Sequence, residues 1–168
     1  DGAGGSVGRT ATVTIDGLDD PATEVSGTTT GNVTEDGTLV ASGLLTVADP
    51  DTGDDQVQSQ TNTVGIYGTF SINVNGDWTY SLSNDATNVQ ALKDGATPVD
   101  TFSVLSKDGQ ASVDVIITIN GVNDAPTKDD PVTAMFSEED APAMVNLLTG
   151  ASDVDQDEQA LIINNILN

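Results

Sequence analysis

Apolar and polar residues alternate most regularly over "FSINVNGDWTYSL" (70–82). Phe70, Ile72 and Val74 share one face, and Trp78, Tyr80 and Leu82 repeat the pattern after Asn75-Gly76. A period of two predicts half-buried strands. Asn-Gly between two such runs predicts a hairpin with a type I′ turn, in which both turn residues have positive φ. "DTFSVLSKDGQASVDVIITIN" (100–120) reads as a second hairpin, turning at Asp108-Gly109. β-branched "TATVTID" (10–16) predicts another strand. A strand over about 24–34 is followed by "GTLVASGLLTVAD" (37–49), expected to bulge at Gly43. Only "NDATNVQAL" (84–92) suits a turn or two of helix. Short strands with regular turn signals predict an all-β fold, an antiparallel β-sandwich.

The pattern also repeats over a long period. At a constant offset of 104 positions Thr14 meets Thr118, Ile15 meets Ile119, Gly17 meets Gly121 and Asp20 meets Asp124. Glu35 and Asp36 meet Glu139 and Asp140, Leu44 meets Leu148, and Asp49 and Asp51 meet Asp153 and Asp155. Asp16 and Asp19 align with Asn120 and Asn123, which are also oxygen donors. Such a period is the size of a domain, so the chain reads as an excerpt of a tandem array. Residues 1–20 are expected to end a preceding repeat, 21–125 to form a complete one, and 126–168 to begin a following one.

What recurs is chiefly acids, and the composition sharpens that. The chain has 27 acidic and 4 basic residues, a net charge of −23. Nucleic acid is therefore not an expected partner, because phosphate binding needs a basic face. An anionic membrane surface is disfavoured likewise, and no apolar run approaches the ~20 residues of a spanning helix. With no cysteine and no histidine, disulfides, thiolate sites, histidine triads and the common zinc sites are excluded. Cations are the natural partners.

Tracing the strands through a sandwich sorts the acids into two poles. Asp16, Asp19, Asp20, Asp49, Asp51 and Asp108 gather at the upper junction. Glu35, Asp36, Asn120, Asn123, Asp124, Asp153 and Asp155 gather at the lower one, which Asp100 could join. Two carboxylates 4 Å apart repel by roughly 4 kcal/mol at an effective dielectric near 20. Lysine and arginine are too few to offset this, so a hard divalent cation is expected. Calcium accepts six to eight oxygens in flexible geometry and suits this donor set better than magnesium. "DVDQDE" (153–158) begins like an EF-hand loop, but Glu158 replaces the glycine and Asn164 the final glutamate. Asp49 and Asp51 could alternatively serve only as turn caps. Trp78 and Tyr80 could offer a carbohydrate platform, although their alternation with Thr79 favours the core.

"VTEDGTLVASGLLTVADPD", "GTFSINVNGDWTYSL", "LKDGATPVDTFSVLSKDGQ" and "VIITINGVNDAP" resemble successive segments of the VCBS repeat. That resemblance covers about 33–126 closely and 10–22 as the tail of a neighbouring copy. Residues 127–168 look like the start of a divergent cadherin-like or immunoglobulin-like repeat. The family occurs in very large secreted bacterial surface proteins, including calcium-dependent adhesins of biofilm-forming bacteria. The junction is similar to that of cadherins, where calcium binds between domains. Glu35, Asp49 with Asp51, Asp108, and Asn123 with Asp124 match those positions. The departure is the glutamate-rich motif before the penultimate strand, for which only Asp94 and Asp100 are available.

These features imply an extracellular structural repeat, not an enzyme, with calcium stiffening the junctions between neighbouring repeats of the same chain. The alternative is a ligand-binding module for a carbohydrate or host receptor. Residues 127–168 lack partner strands and are expected to be disordered, domain-swapped or paired by self-association.

Overall fold

The computed structural model describes residues 2, 4–5, 8–128, 131–135, 137 and 144–155. The described strands are β1 (Glu24–Gly27), β2 (Thr30–Thr34), β3 (Val40–Ala48), β4 (Gln60–Val64), β5 (Gly68–Ile72), β6 (Asp77–Leu82), β7 (Val99–Leu105), β8 (Ser112–Asn120), β9 (Thr127–Lys128) and β10 (Ala151–Ser152). One helical turn, α1 (Thr87–Gln90), lies between β6 and β7. One sheet has the order β1-β3-β6-β5-β4, the facing sheet β2-β8-β7, and β9 pairs with β10. All pairings are antiparallel except β2 with β8, which run parallel. The fold is the expected all-β sandwich.

The core follows the alternation. Phe70, Ile72, Trp78, Tyr80 and Leu82 are buried from one sheet; Val33, Phe102, Val104, Val115, Ile117 and Ile119 meet them from the other. Phe70 and Phe102 stack across the gap with ring centroids 4.7 Å apart. Burying each large apolar side chain contributes roughly 1.5–3 kcal/mol, so this layer dominates the fold's cohesion. Val74, expected on the same face, is instead 44% exposed in the hairpin loop.

That loop corrects the predicted turn. Gly76 has φ +89°, but Asn75 does not have positive φ, so the turn is not type I′. Gly76 N–H donates to the Asn73 carbonyl at 3.0 Å, and the Asn73 side chain accepts from the N–H groups of Asn75 (2.9 Å) and Asp77 (3.1 Å). The loop is longer, with one glycine in the left-handed region. A side chain at Gly76 would also collide with the Leu45 carbonyl.

Three other strand expectations change. Residues 10–16 form no strand; this segment is exposed and pairs with no strand. β3 runs through Gly43 without a bulge, pairing it with Trp78. Glycine is needed there because a Cβ would lie 2.6 Å from Trp78 Cζ2. The register shift falls in β4, between Gln60 and Thr63. Finally, the strand over 24–34 is two strands. Thr28 N–H still donates to Leu44 in one sheet, while the Thr29 carbonyl already accepts from Ile116 in the other. Trp78 Nε1 donates to the Thr28 carbonyl at 2.9 Å, fixing the crossing point.

Candidate functional site

Strand direction delivers the acids to the two ends. β2 and β8 end side by side, with Thr34 opposite Asn120, so Glu35–Asp36 and Gly121–Asp124 leave the sandwich at one pole. β3 returns to the other pole with Asp49 and Asp51, where the β7–β8 turn brings Asp108.

At the lower pole, Glu35 is 1% exposed and Asp155 7%. Glu35 Oε2 accepts the Val122 N–H at 3.1 Å, and Asp155 Oδ2 accepts the Asp124 N–H at 2.8 Å. Asp155 N–H in turn donates to Asp153 Oδ1 at 3.1 Å. Two buried carboxylate oxygens, Asp124 Oδ2 and Asp155 Oδ1, have no hydrogen-bond partner. Burial pushes the Glu35 carboxyl above its usual range; Asp124, Asp36 and Asp155 push the same way, against the Val122 hydrogen bond. Asp124 is raised by burial, then by Asp36, Asp155 and Asp153. The pole is a set of mutually repelling acids partly removed from water.

At the upper pole, Asp20 N–H donates to Asp51 Oδ2 at 2.6 Å, and Asp51 N–H to Asp49 Oδ1 at 2.8 Å. These are the same two hydrogen bonds as at the lower pole, 104 positions earlier. Asp108 accepts from Ala22 N–H at 2.9 Å and from the Ser106 hydroxyl at 2.5 Å. The Ser106, Ala22 and Gln110 bonds hold its carboxyl below the usual range. Asp19 is raised by desolvation and by Asp54, Asp51, Asp49 and Asp108.

Some candidates stand apart. Asp16 is exposed, and no hydrogen bond ties it to the upper set. Asn120 Nδ2 donates to the Val33 carbonyl at 2.8 Å, and Asn123 Nδ2 to the Asp124 carbonyl at 2.7 Å. Asp100 does not join the lower pole. It is buried and accepts from Ile66 N–H (2.8 Å), Tyr67 N–H (3.0 Å) and Tyr80 Oη (2.8 Å). Glu139, Asp140 and residues 156–168 lie outside the described residues.

Three residues enter that the strand tracing missed: Asn84, Gln90 and Lys107. Asn84 pairs reciprocally with Asp36: Asp36 N–H donates to Asn84 Oδ1 (2.9 Å), and Asn84 Nδ2 to Asp36 Oδ1 (2.7 Å). Gln90 Nε2 reaches Glu35 Oε1 at 3.2 Å and Asp36 Oδ1 at 3.5 Å. Above, Lys107 Nζ forms an ion pair with Asp54. β6 runs antiparallel to β3 and so ends at the lower pole, a direction that would have placed Asn84 and Gln90 there.

The lower donor set, carboxylates with carboxamides and carbonyls, has the chemistry of a hard-cation site, and two unpaired buried oxygens fit such an ion. Among the described residues, no three acids converge closely enough, as they stand, to hold one metal ion. An ion would have to draw the carboxylates inward.

A comparison with curated proteins finds no match. Residues 19–121, more than half of the chain, match the bacterial cadherin-like domain. The match spans the sandwich from the Asp19–Asp20 segment to the end of β8, and the chain belongs to the bacterial cadherin-like domain family.

Proposed function

We propose that this chain is part of an extracellular, VCBS-type array in a bacterial adhesin, in which calcium stiffens the seams between successive domains. Family membership supports an extracellular, adhesin-type domain. No helix of the described residues is long and apolar enough to cross a membrane. The observation that carries the calcium reading is the pair of buried, unpartnered oxygens on Asp124 and Asp155. Their residues join the chain leaving β8 to the segment after β10, so an ion there would tie one unit to the next. Recurrence of the same hydrogen bonds at Asp20–Asp51–Asp49 supports a seam at each end. Glu35, Asp36, Asp124, Asp153 and Asp155 would hold the lower ion; Asp19, Asp49, Asp51 and Asp108 would hold the upper. An affinity of about 10⁻⁴–10⁻³ M suffices outside a cell.

The role is structural. Trp78 and Tyr80 are 1% and 0% exposed, which argues against a carbohydrate platform built on them. Small-angle scattering of the 168-residue chain is expected to show a longer, stiffer particle in millimolar calcium than in chelator. Superimposable profiles would overturn the proposal.

A further inference from the structure

The lower pole contains a neutral group where a string of acids would otherwise face itself. Gln90, half-buried at the end of α1, directs Nε2 at both Glu35 Oε1 and Asp36 Oδ1. Asn84 donates to the same Asp36 oxygen and accepts the Asp36 N–H in its reciprocal pair. α1 is anchored by Val89, which is fully buried, so the amide is delivered by a packed element. Asp36 has φ +51°, a conformation that the Asn84 pair holds in place. At the same pole, Asp155, whose charge acts on Glu35, has a buried and unpartnered Oδ1.

We infer that Gln90 is a positioning residue for the lower seam: its amide bridges Glu35 and Asp36 when no cation is bound, and sets the seam's affinity for a divalent cation. A carboxamide has a donor end and an acceptor end. The Nε2 end holds two like charges together without an ion. Rotation about the last side-chain bond exchanges it for Oε1, an oxygen of the kind calcium accepts. The amide adds no charge, so the seam stays weaker toward cations than one with a carboxylate at this position. This inference rests on the calcium reading above for its second half only.

The test uses the full chain, with Gln90→Met and Gln90→Glu, in chelator and across a calcium titration. Methionine keeps the bulk and removes both amide ends. In chelator, Gln90→Met is expected to melt about 5 °C below wild type, since hydrogen bonds to charged groups are lost. The gap should narrow in saturating calcium, where the ion takes over the bridging. Gln90→Glu should melt lower still in chelator, yet bind calcium about tenfold more tightly. Where wild type responds to calcium, an equal gap for Gln90→Met in both conditions would reduce Gln90 to packing and overturn the inference, as would unchanged calcium affinity in Gln90→Glu. If wild type itself fails to respond to calcium, the calcium reading falls. The chelator comparison still decides the bridge: equal melting of Gln90→Met and wild type there would remove it.

Discussion

Asp155 concentrates the conflict at the lower pole. One of its oxygens accepts the Asp124 N–H while the other is buried without a partner, as is one oxygen of Asp124. Leaving such groups unpaired costs about 1–3 kcal/mol each. Asp155→Asn removes one charge and supplies donors, so in chelator it is expected to raise the melting temperature by about 4–8 °C. In calcium the order should reverse, and differential scanning fluorimetry under both conditions checks it. Protons should act similarly. Glu35 and Asp124 have raised values when folded, so the folded chain takes up protons first as pH falls. Their contribution to stability is full below the ordinary carboxylate value and is lost as pH rises through the raised one. Asp108 behaves oppositely: its lowered value makes its stabilisation present at neutral pH and lost only on stronger acidification. Thermal melts in chelator should therefore pass through a maximum on the acid side of neutrality, and the calcium-induced shift should shrink toward that maximum.

Between elements, Asp100 on β7 ties its own sheet to the opposite one. Its carboxylate gathers the Ile66 and Tyr67 N–H groups of the β4–β5 turn and the Tyr80 hydroxyl of β6. Burial, and then the Asp100 bond and charge, push the Tyr80 hydroxyl far above its ordinary value, so it remains a donor. Asp100→Ala would leave three donors without an acceptor and is expected to cost at least about 3 kcal/mol in urea denaturation; Tyr80→Phe should cost only about 1 kcal/mol. The alternation of β7 puts Asp100 on the inward face with Phe102 and Val104, but the donors that it would meet there, on the β4–β5 turn and β6, were not legible in the sequence. What was legible is what periodicity controls: the buried faces of β5 and β6, and the two hairpins. The turn type was not, because the Asn73 side chain captures two loop amides. The sheet change at Thr28–Thr29 was not, because the β-branched pattern runs straight through it. Residues 10–16 have strand composition, but a strand also needs an edge to pair with.

For the whole molecule, strand direction was enough to sort most of the acids into poles, because each hairpin reverses the chain. Direction alone could not tell which acids are held and which stand free. Asp16 and Asp51 look alike in sequence, but only Asp51 receives the Asp20 N–H. Nor could it place Gln90, whose reach depends on how Val89 seats α1. The net charge of −23 thus has two parts, a general surface charge and a few acids gathered at the chain's entrance and exit. The length change expected in scattering concerns that second part alone, and so should respond to calcium and not to added monovalent salt of equal ionic strength.

The parallel pairing of β2 with β8 bears on mechanical load. The chain enters the sandwich at the upper pole and leaves at the lower, and five residue pairs, Thr30–Ile116 through Thr34–Asn120, join the two strands in register. Once the load has passed β1 and its ladder with β3, a pull on both ends draws β2 and β8 past each other along their length. The hydrogen bonds of the ladder are then loaded in shear, together, rather than peeled one at a time as in a hairpin opened from its mouth. A domain so wired resists extension at the ladder that carries tension across it.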